Sequence, residues 1–367
     1  MGCIQSALAS AQVPGSPRPT EELVAEGGTS TMTAPSHAIS YEMSSFKPQR
    51  PRNAGVQRLE GLLIDEDINS LRIPRELITI HRLLCSGSYT EVFLGTYHDG
   101  QVAVKMLLPE TRRSMDHVEA LLTEVKIMAT MDHPHIVTLV GVAWDVLADI
   151  CMVSEYMEGG DLRALLASYE TESYPHGFDR QKLTIALNVA LALTYMHSFQ
   201  PPVLHANLKS TNILLSAEIE AKISSFGSVN QRPNCTLGGS SGSHLWTAPE
   251  VLTGERFDAK ADIYSFGVVL SELDQHVLPY SSINDELGQK LTNQSIVLMM
   301  VARGELRVEF TSSASGRTRQ ASSDVHVMNS IDALGTSCVA LAPEYRPTAA
   351  EVAYNLHKIL QQYTNYW

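Results

Sequence analysis

The sequence has little cysteine, and the cysteines that it has do not group. Five occur in 367 residues, they lie far apart, and none forms a CxxC pair. This arrangement argues against a disulfide framework and against a zinc site, and it favours a reducing compartment. The 13 histidines form no HExxH motif. His133 and His135 are the only close pair, and we expect them in a turn.

Long apolar runs and excess basic charge are also absent. No run approaches the ~18 apolar residues that a membrane span needs. The longest, residues 185–193, predicts a buried helix, and residues 1–20 contain no apolar core of a secretory signal. With 27 Lys+Arg against 40 Asp+Glu the net charge is −13. We therefore expect no transmembrane helix, no secretion and no nucleic-acid partner, since phosphate contacts need a basic face.

The chain begins Met-Gly-Cys-Ile-Gln-Ser, which fits the pattern for N-myristoylation of Gly2. One myristoyl chain holds a membrane only marginally, so a second signal is needed. Arg18 is the single basic residue in the first twenty, whereas Cys3 is placed to accept palmitate. Residues 1–6 thus predict a lipid anchor, and a location at the cytoplasmic face of a membrane or in the cytoplasm.

The next segment predicts a disordered tether, assigned to residues 7–71. Residues 7–56 are rich in Ser, Thr, Ala, Pro and Gly and show no apolar periodicity. Such a segment buries too little apolar surface to offset its ordering entropy.

From about residue 72 the pattern predicts an α+β fold in two lobes. Strand-like runs at 77–84, 91–97, 101–107, 136–142 and 150–156 surround one helical stretch at 115–131. Helical stretches then dominate, at 161–168, 179–198, 258–273, 289–303, 325–341 and 347–363. This segregation predicts a small β-rich N-lobe (72–155), a hinge (155–160) and a larger helical C-lobe (161–363).

A set of motifs follows in fixed order along this region. They are Val102–Lys105, Glu124, His205–Asn212, Ser225-Phe-Gly227, Ala248-Pro-Glu250, Asp262–Gly267 and Arg346-Pro347. In this order and spacing the sequence resembles the protein kinase family over roughly residues 77–362. The segments EYMEGGDL and HPHIVTLVGVAW most resemble the tyrosine-kinase-like group. The resemblance implies a bilobal kinase fold and phosphoryl transfer from ATP to a protein hydroxyl.

The resemblance also implies a nucleotide site. Lys105 would contact the α- and β-phosphates and pair with Glu124, which lies nine residues before His133; Glu119 is the competing carboxylate but lacks that spacing. The remaining implied contacts are Gly87 in the glycine-rich loop, Val92, Ala103 and Leu214 around the adenine, Ser154 as gatekeeper, and Glu155 and Met157 at the hinge. Glu250 and Arg346 resemble a buried ion pair, and Asp262 resembles the carboxylate that braces the catalytic loop.

Two carboxylates that the family uses for catalysis are missing. Where the family has His-Arg-Asp this chain has His205-Ala206-Asn207, and a neutral amide cannot accept the substrate's proton. Where the family has Asp-Phe-Gly this chain has Ser225-Phe226-Gly227, and a hydroxyl is a weak ligand for Mg²⁺. Asn212 remains as a weak metal ligand and Lys209 remains to neutralise phosphate charge. ATP is therefore the implied cofactor, with Mg²⁺ held weakly or not at all.

The glycine-rich loop and the activation clamp depart from the pattern too. Cys85 and Thr90 replace two glycines and only Gly87 survives. We expect their Cβ atoms to restrict closure over phosphates. Ala206 removes the arginine that binds a phosphorylated activation loop.

Losing the base alone costs about 10²–10⁴ in rate, and misplacing the metal adds to it. The sequence therefore predicts a membrane-tethered pseudokinase that acts as scaffold or allosteric partner of other signalling proteins, among them an active kinase. One alternative is an atypical Ser/Thr kinase that recruits Glu91 or Asp161 as its carboxylate. Another is a nucleotide sensor, in which ATP binding shifts the lobes.

Overall fold

A computed structural model of the chain describes residues 59, 61–226, 244–281, 293–311 and 323–364. Gly2, Cys3, Gly227 and most of the predicted tether lie outside the described residues.

The first lobe is built on a five-stranded antiparallel sheet. Its strands are β1 (Ile78–Ser86), β2 (Thr90–Tyr97), β3 (Gly100–Leu107), β4 (Leu139–Ala143) and β5 (Cys151–Glu155). They lie in the order β1-β2-β3-β5-β4. Alternation along β3 places Val102 and Val104 on one face, where they pack with Val153, and leaves the opposite face for the cleft between the lobes.

The folded region begins before residue 72, where the sequence analysis placed its start. Helix α1 (Glu66–Ser70) is N-capped by Asp65, whose carboxylate accepts hydrogen bonds from the Asp67 and Ile68 N–H groups. Asp65 also pairs with Lys126 on the next helix, and Ile68 is fully buried. The Leu71 carbonyl also accepts from Val142 N–H on β4 at 3.0 Å, so residues 61–71 are packed on the first lobe and are not part of a tether.

Helix α2 (Met115–Ala129) is the single long helix of the first lobe. Its apolar positions recur at helical spacing, and the buried ones pack toward the sheet: Val118, Leu121, Leu122, Val125 and Met128. The same buried face carries one carboxylate, Glu124. A buried charge on an apolar face needs a partner.

The second lobe is mainly helical. Its described helices are α3 (Leu162–Thr171), α4 (Arg180–His197), α5 (Pro249–Leu252), α6 (Lys260–Gln275), α7 (Gln294–Ala302), α8 (Ser323–Cys338) and α9 (Ala349–Thr364). Helix α4 contains the longest apolar run and lies in the core, with α9 packed along it. None of the helices in the described ranges is long and apolar enough to cross a membrane.

A hinge and a small second sheet join the lobes. The hinge runs from the end of β5 to β6 (Gly160–Asp161), and Gly160 has a φ of +73°, which glycine adopts without strain. β6 pairs with β7 (Ile213–Leu215), which pairs with β8 (Ala221–Ile223). Backbone hydrogen bonds from Val137 N to Ile223 O (3.0 Å) and from Ile223 N to His135 O (2.9 Å) tie β8 to the first lobe. The predicted bilobal α+β fold is thus confirmed.

Candidate functional site

Strand register places four predicted site residues on one face of the first sheet. Val92 lies opposite Lys105 across β2 and β3, and Ala103 lies opposite Ser154 across β3 and β5. Residues opposite each other share a face, as do residues two apart on one strand. Val92, Ala103, Lys105 and Ser154 therefore line the cleft side, as the resemblance implied.

Lys105 and Glu124 form a bidentate ion pair. Lys105 Nζ lies 2.7 Å from both Glu124 Oε1 and Oε2. Their side chains are 14% and 8% exposed, so water screens the pair little. Of the two carboxylates considered on α2, Glu124 is thus the one that pairs with Lys105. The pair fixes the Lys105 cation beneath β2. It also ties α2, which carries Glu124, to the sheet.

The hinge presents backbone groups, and one of its side chains is already engaged. Glu155 N–H donates to Thr138 O at 3.0 Å, and the Glu155 carbonyl accepts from Ser154 Oγ at 3.4 Å. Its carboxylate pairs with Lys222 Nζ at 2.8 Å and accepts from Thr138 N–H at 2.7 Å. Burial works to raise the pKa of Glu155, but these bonds outweigh burial and lower it. Leu214 on β7, opposite Asp161, lies in the sheet below the hinge.

The segment at the position of the glycine-rich loop is a short connection between β1 and β2. Gly87 N–H donates to Thr90 O at 2.8 Å, and the Tyr89 carbonyl accepts from Leu108 N–H at 3.0 Å. The Tyr89 ring stacks on His117 of α2, with 4.6 Å between centroids. Cys85 and Thr90 lie in extended strands, outside the positive-φ residues. Their Cβ atoms therefore cause no backbone strain in this conformation, and the expected restriction on closure over phosphates stays a prediction.

The catalytic loop is held by Asp262. Its carboxylate accepts from His205 N–H at 2.9 Å, from Ala206 N–H at 2.8 Å and from His197 Nε2 at 2.9 Å. Burial works to raise the pKa of Asp262, but the hydrogen bond from His197 and the nearby histidines lower it overall. The carboxylate thus braces the loop through its backbone, as predicted.

His205 is a neutral, buried support for the same loop. Its Nε2 lies 3.1 Å from the Ser224 carbonyl, which can only accept, so Nε2 carries the proton. Its Nδ1 accepts from Asn207 N–H at 3.3 Å. Burial lowers the pKa of His205 to about 4.

Asn207, Asn212 and Ser225 converge at the end of this loop. Asn207 Nδ2 donates to Ser225 O at 3.3 Å, and Asn212 Nδ2 donates to Asn207 O at 2.8 Å. Lys209 lies between the two asparagines, just before the 3₁₀ turn Ser210–Asn212. The described side chains at the three converging positions are all neutral, so this donor set fits Mg²⁺ poorly, because a hard cation prefers carboxylates.

The backbone at the two altered motifs has an unusual conformation. Ala206 has a φ of +57° and Ser225 a φ of +60°. This left-handed region favours glycine, asparagine and aspartate over alanine and serine. The chain therefore retains a backbone at position 225 that suits an aspartate better than the serine it carries.

Two buried carboxylates fix the second lobe around this loop. Glu250 forms a bidentate pair with Arg346, at 2.6 and 2.8 Å. Glu272 accepts from Ser210 Oγ at 2.8 Å, from Trp246 Nε1 at 2.7 Å and from Arg163 at 2.8 Å. The predicted Glu250–Arg346 pair is present. The sequence analysis missed Glu272, His197 and Lys222, since their partners lie tens of residues away and no local pattern marks them.

Glu91 and Asp161 are the two carboxylates considered as replacements for the missing catalytic carboxylate, and the structure places neither of them in that role. Glu91 neighbours Val92 on β2, so alternation places it on the face away from Lys105. Asp161 accepts from Ala164 N–H at 3.0 Å and caps α3, and burial raises its pKa. Its place on the sheet thus excludes Glu91 as the replacement, and the carboxylate of Asp161 is engaged as the N-cap of α3.

The model of the protein kinase domain matches residues 78–357. The chain belongs to the protein kinase family. The serine/threonine-protein kinase CTR1 of Arabidopsis thaliana is 32% identical over 59% of this chain, which is 26% of the relative. The probable serine/threonine-protein kinase SIS8 of the same plant is 33% identical over 60% of the chain and 21% of the relative.

Tyrosine-protein kinase csk-1 of Caenorhabditis elegans is 35% identical over 51% of this kinase-family chain and 33% of the relative. The matched region is thus no more than a third of these relatives. Two of these relatives are named serine/threonine-protein kinases and one a tyrosine-protein kinase. Their names therefore do not agree on one class of substrate.

Proposed function

We propose that this protein is a pseudokinase of the tyrosine-kinase-like group that binds ATP and acts as a tethered signalling scaffold or allosteric partner. The observation that carries the proposal is the contact between Asn207 and Ser225. The two positions that supply carboxylates in active members of the family touch each other here, and both are neutral.

The arrangement of the residues predicted to contact the nucleotide supports ATP binding. Lys105 is paired and partly buried, and Val92 and Ala103 share its face of the sheet. A cation on an apolar surface favours a phosphate ligand. Because residue 225 supplies no carboxylate, nothing there repels metal-free ATP, and we expect binding with little dependence on Mg²⁺.

Loss of transfer follows from the same two positions. Without a base the rate falls by about 10²–10⁴. Active kinases turn over at about 1–100 s⁻¹, so a further loss at the metal would leave turnover times of roughly hours or longer. A working kinase with another carboxylate is the second candidate, and the intact Lys105–Glu124 pair is the observation in its favour.

Titrating ATP against the full chain in a thermal-shift assay, with Mg²⁺ and with EDTA instead, tests the proposal. Ligand that binds the folded state alone raises the melting temperature in proportion to ln(1 + [L]/Kd). We expect similar shifts in both conditions, a loss of the shift in Lys105→Met, and no loss in Lys358→Met, where an exposed lysine of α9 is changed.

Transfer from radiolabelled ATP to a generic protein substrate completes the test. We expect no signal above the Lys105→Met background. A shift that needs Mg²⁺, together with Lys105-dependent transfer, would establish the active kinase instead. The scaffold role would be supported by a partner that binds the wild type and Lys105→Met equally.

A further inference from the structure

A second group of chemistry-bearing side chains lies in the C-lobe. Glu170 is in the last turn of α3, His176 is in the loop before α4, and His276 ends α6 with a φ of +62°. One ligand atom from each of the three lies within 4.8 Å of the other two. Glu170 Oε2 and His176 Nε2 are 3.1 Å apart, and the rings of His176 and His276 are 5.0 Å apart.

The buried member of the group lacks a hydrogen-bond partner. His276 is 1% exposed, and neither of its ring nitrogens bonds to any described residue. A buried polar atom left unsatisfied destabilises the folded state, so both ring nitrogens favour a bound partner. The neighbouring tyrosines do not satisfy it, since the Tyr169 hydroxyl donates to Gln181 and the Tyr174 hydroxyl to Asp179.

The backbone on both sides of the cluster is fixed by cations. Lys182 Nζ donates to Pro175 O at 2.9 Å and to Gly177 O at 2.6 Å, which holds the loop on either side of His176. Arg163 donates to the carbonyl of His276 and pairs with Glu272. These charges oppose a bound cation, but each is engaged, and Glu170 supplies the compensating anion.

We propose that Glu170, His176 and His276 form a zinc site, with water as the fourth ligand. Two imidazoles and one carboxylate form a donor set that zinc accepts in tetrahedral geometry. Mg²⁺ and Ca²⁺ prefer oxygen ligands and fit this set poorly. Glu170 and His176 are about half exposed, at 50% and 49%. Zinc therefore reaches the site from solvent, and both side chains can adjust to it.

Bound zinc would join three separate pieces of the C-lobe: the end of α3, the loop before α4 and the end of α6. The missing CxxC and HExxH motifs argued against zinc, but a hundred residues separate His176 from His276, and only the fold brings them together.

Zinc titration of the chelator-treated full chain, in competition with a chromophoric chelator, tests the proposal. We expect one tight equivalent in the wild type, and affinity at least about tenfold weaker in His176→Ala and in Glu170→Gln. His357→Ala is the matched control, because His357 is exposed on α9 and distant in sequence from the cluster. Its affinity should equal that of the wild type. Both test residues are exposed, so neither variant should unfold the chain.

Cobalt replaces zinc in a second measurement that identifies the donors. We expect visible d–d bands without a thiolate charge-transfer band, and loss of those bands in His176→Ala. Unchanged affinity in either test variant, a thiolate band that survives in both, or the absence of a tight equivalent in the wild type would each overturn the proposal.

Discussion

Asn207 Nδ2 donates a hydrogen bond to the backbone carbonyl of Ser225, with 3.3 Å between the two atoms. An aspartate at position 207 would place a carboxylate oxygen against that carbonyl oxygen. The asparagine at position 207 thus suits the backbone at position 225, because its amide satisfies a carbonyl that a carboxylate would repel.

Restoring both carboxylates should therefore restore part of the chemistry. Asn207→Asp alone should lower the melting temperature, because it loses this hydrogen bond, and should give little transfer. Ser225→Asp suits the left-handed backbone at that position. The double variant should transfer phosphate above the wild-type level and should gain a Mg²⁺-dependent thermal shift with ATP, since two adjacent carboxylates attract the metal.

The control for this rescue is Lys105→Met in the double variant, which should abolish the gain. A well-folded double variant with neither transfer nor a Mg²⁺-dependent shift would mean that other parts of the cleft are also built for binding alone. Either single variant matching the double would contradict the idea that base and metal act on one transition state.

The Glu250–Arg346 pair should dominate the stability of the C-lobe. Glu250→Gln leaves the Arg346 side chain, which is 0% exposed, without its anion. Breaking a buried pair in this way costs about 3–5 kcal/mol. Urea denaturation should show a much lower midpoint, whereas Glu305→Gln, at an exposed pair with Arg303, should leave the midpoint unchanged. Equal midpoints for the two variants would rule out the structural role.

His205 should make the protein less stable in acid. Its folded pKa is about 4 against an ordinary 6.5, so between these values the unfolded chain binds a proton that the folded chain does not. Stability is fully present above pH 6.5 and falls as the pH drops toward 4, by about 3 kcal/mol in total for this group.

Denaturant unfolding at several pH values between 4.5 and 6 measures this effect. His205→Gln should flatten the dependence by about 1.4 kcal/mol per pH unit, even if it lowers stability overall. His357→Gln, at an exposed histidine, should keep the wild-type slope. An unchanged slope in His205→Gln would show that another group carries the acid sensitivity.

Membrane attachment should require both predicted lipid sites, which lie outside the described residues. Gly2→Ala should move the full chain to the soluble fraction, because no myristate is added. Cys3→Ser should leave loose attachment that washing removes, since one acyl chain binds marginally. Cys85→Ser serves as the control for replacing a cysteine. Gly2→Ala that fractionates with membranes like the wild type would exclude the anchor.

From the amino-acid sequence, the fold could be predicted, together with several side-chain pairs that the structure contains. Strand and helix periodicity is local, so α2, α4 and β1–β3 follow from it within a few residues. The kinase motifs placed Lys105, Glu124, Asp262 and Arg346 correctly, because each motif fixes a residue at a set distance from a recognisable neighbour. The neutral residues at 207 and 225 could also be read directly.

Tertiary structure alone decided the relationships between residues that are distant in the chain. It placed Glu91 on the far face of β2, and it docked residues 61–71 on the first lobe. It also brought His276 to Glu170 and His176. The physical reason is that side-chain pairing depends on packing between elements, and no spacing along the chain encodes which faces of two distant elements meet.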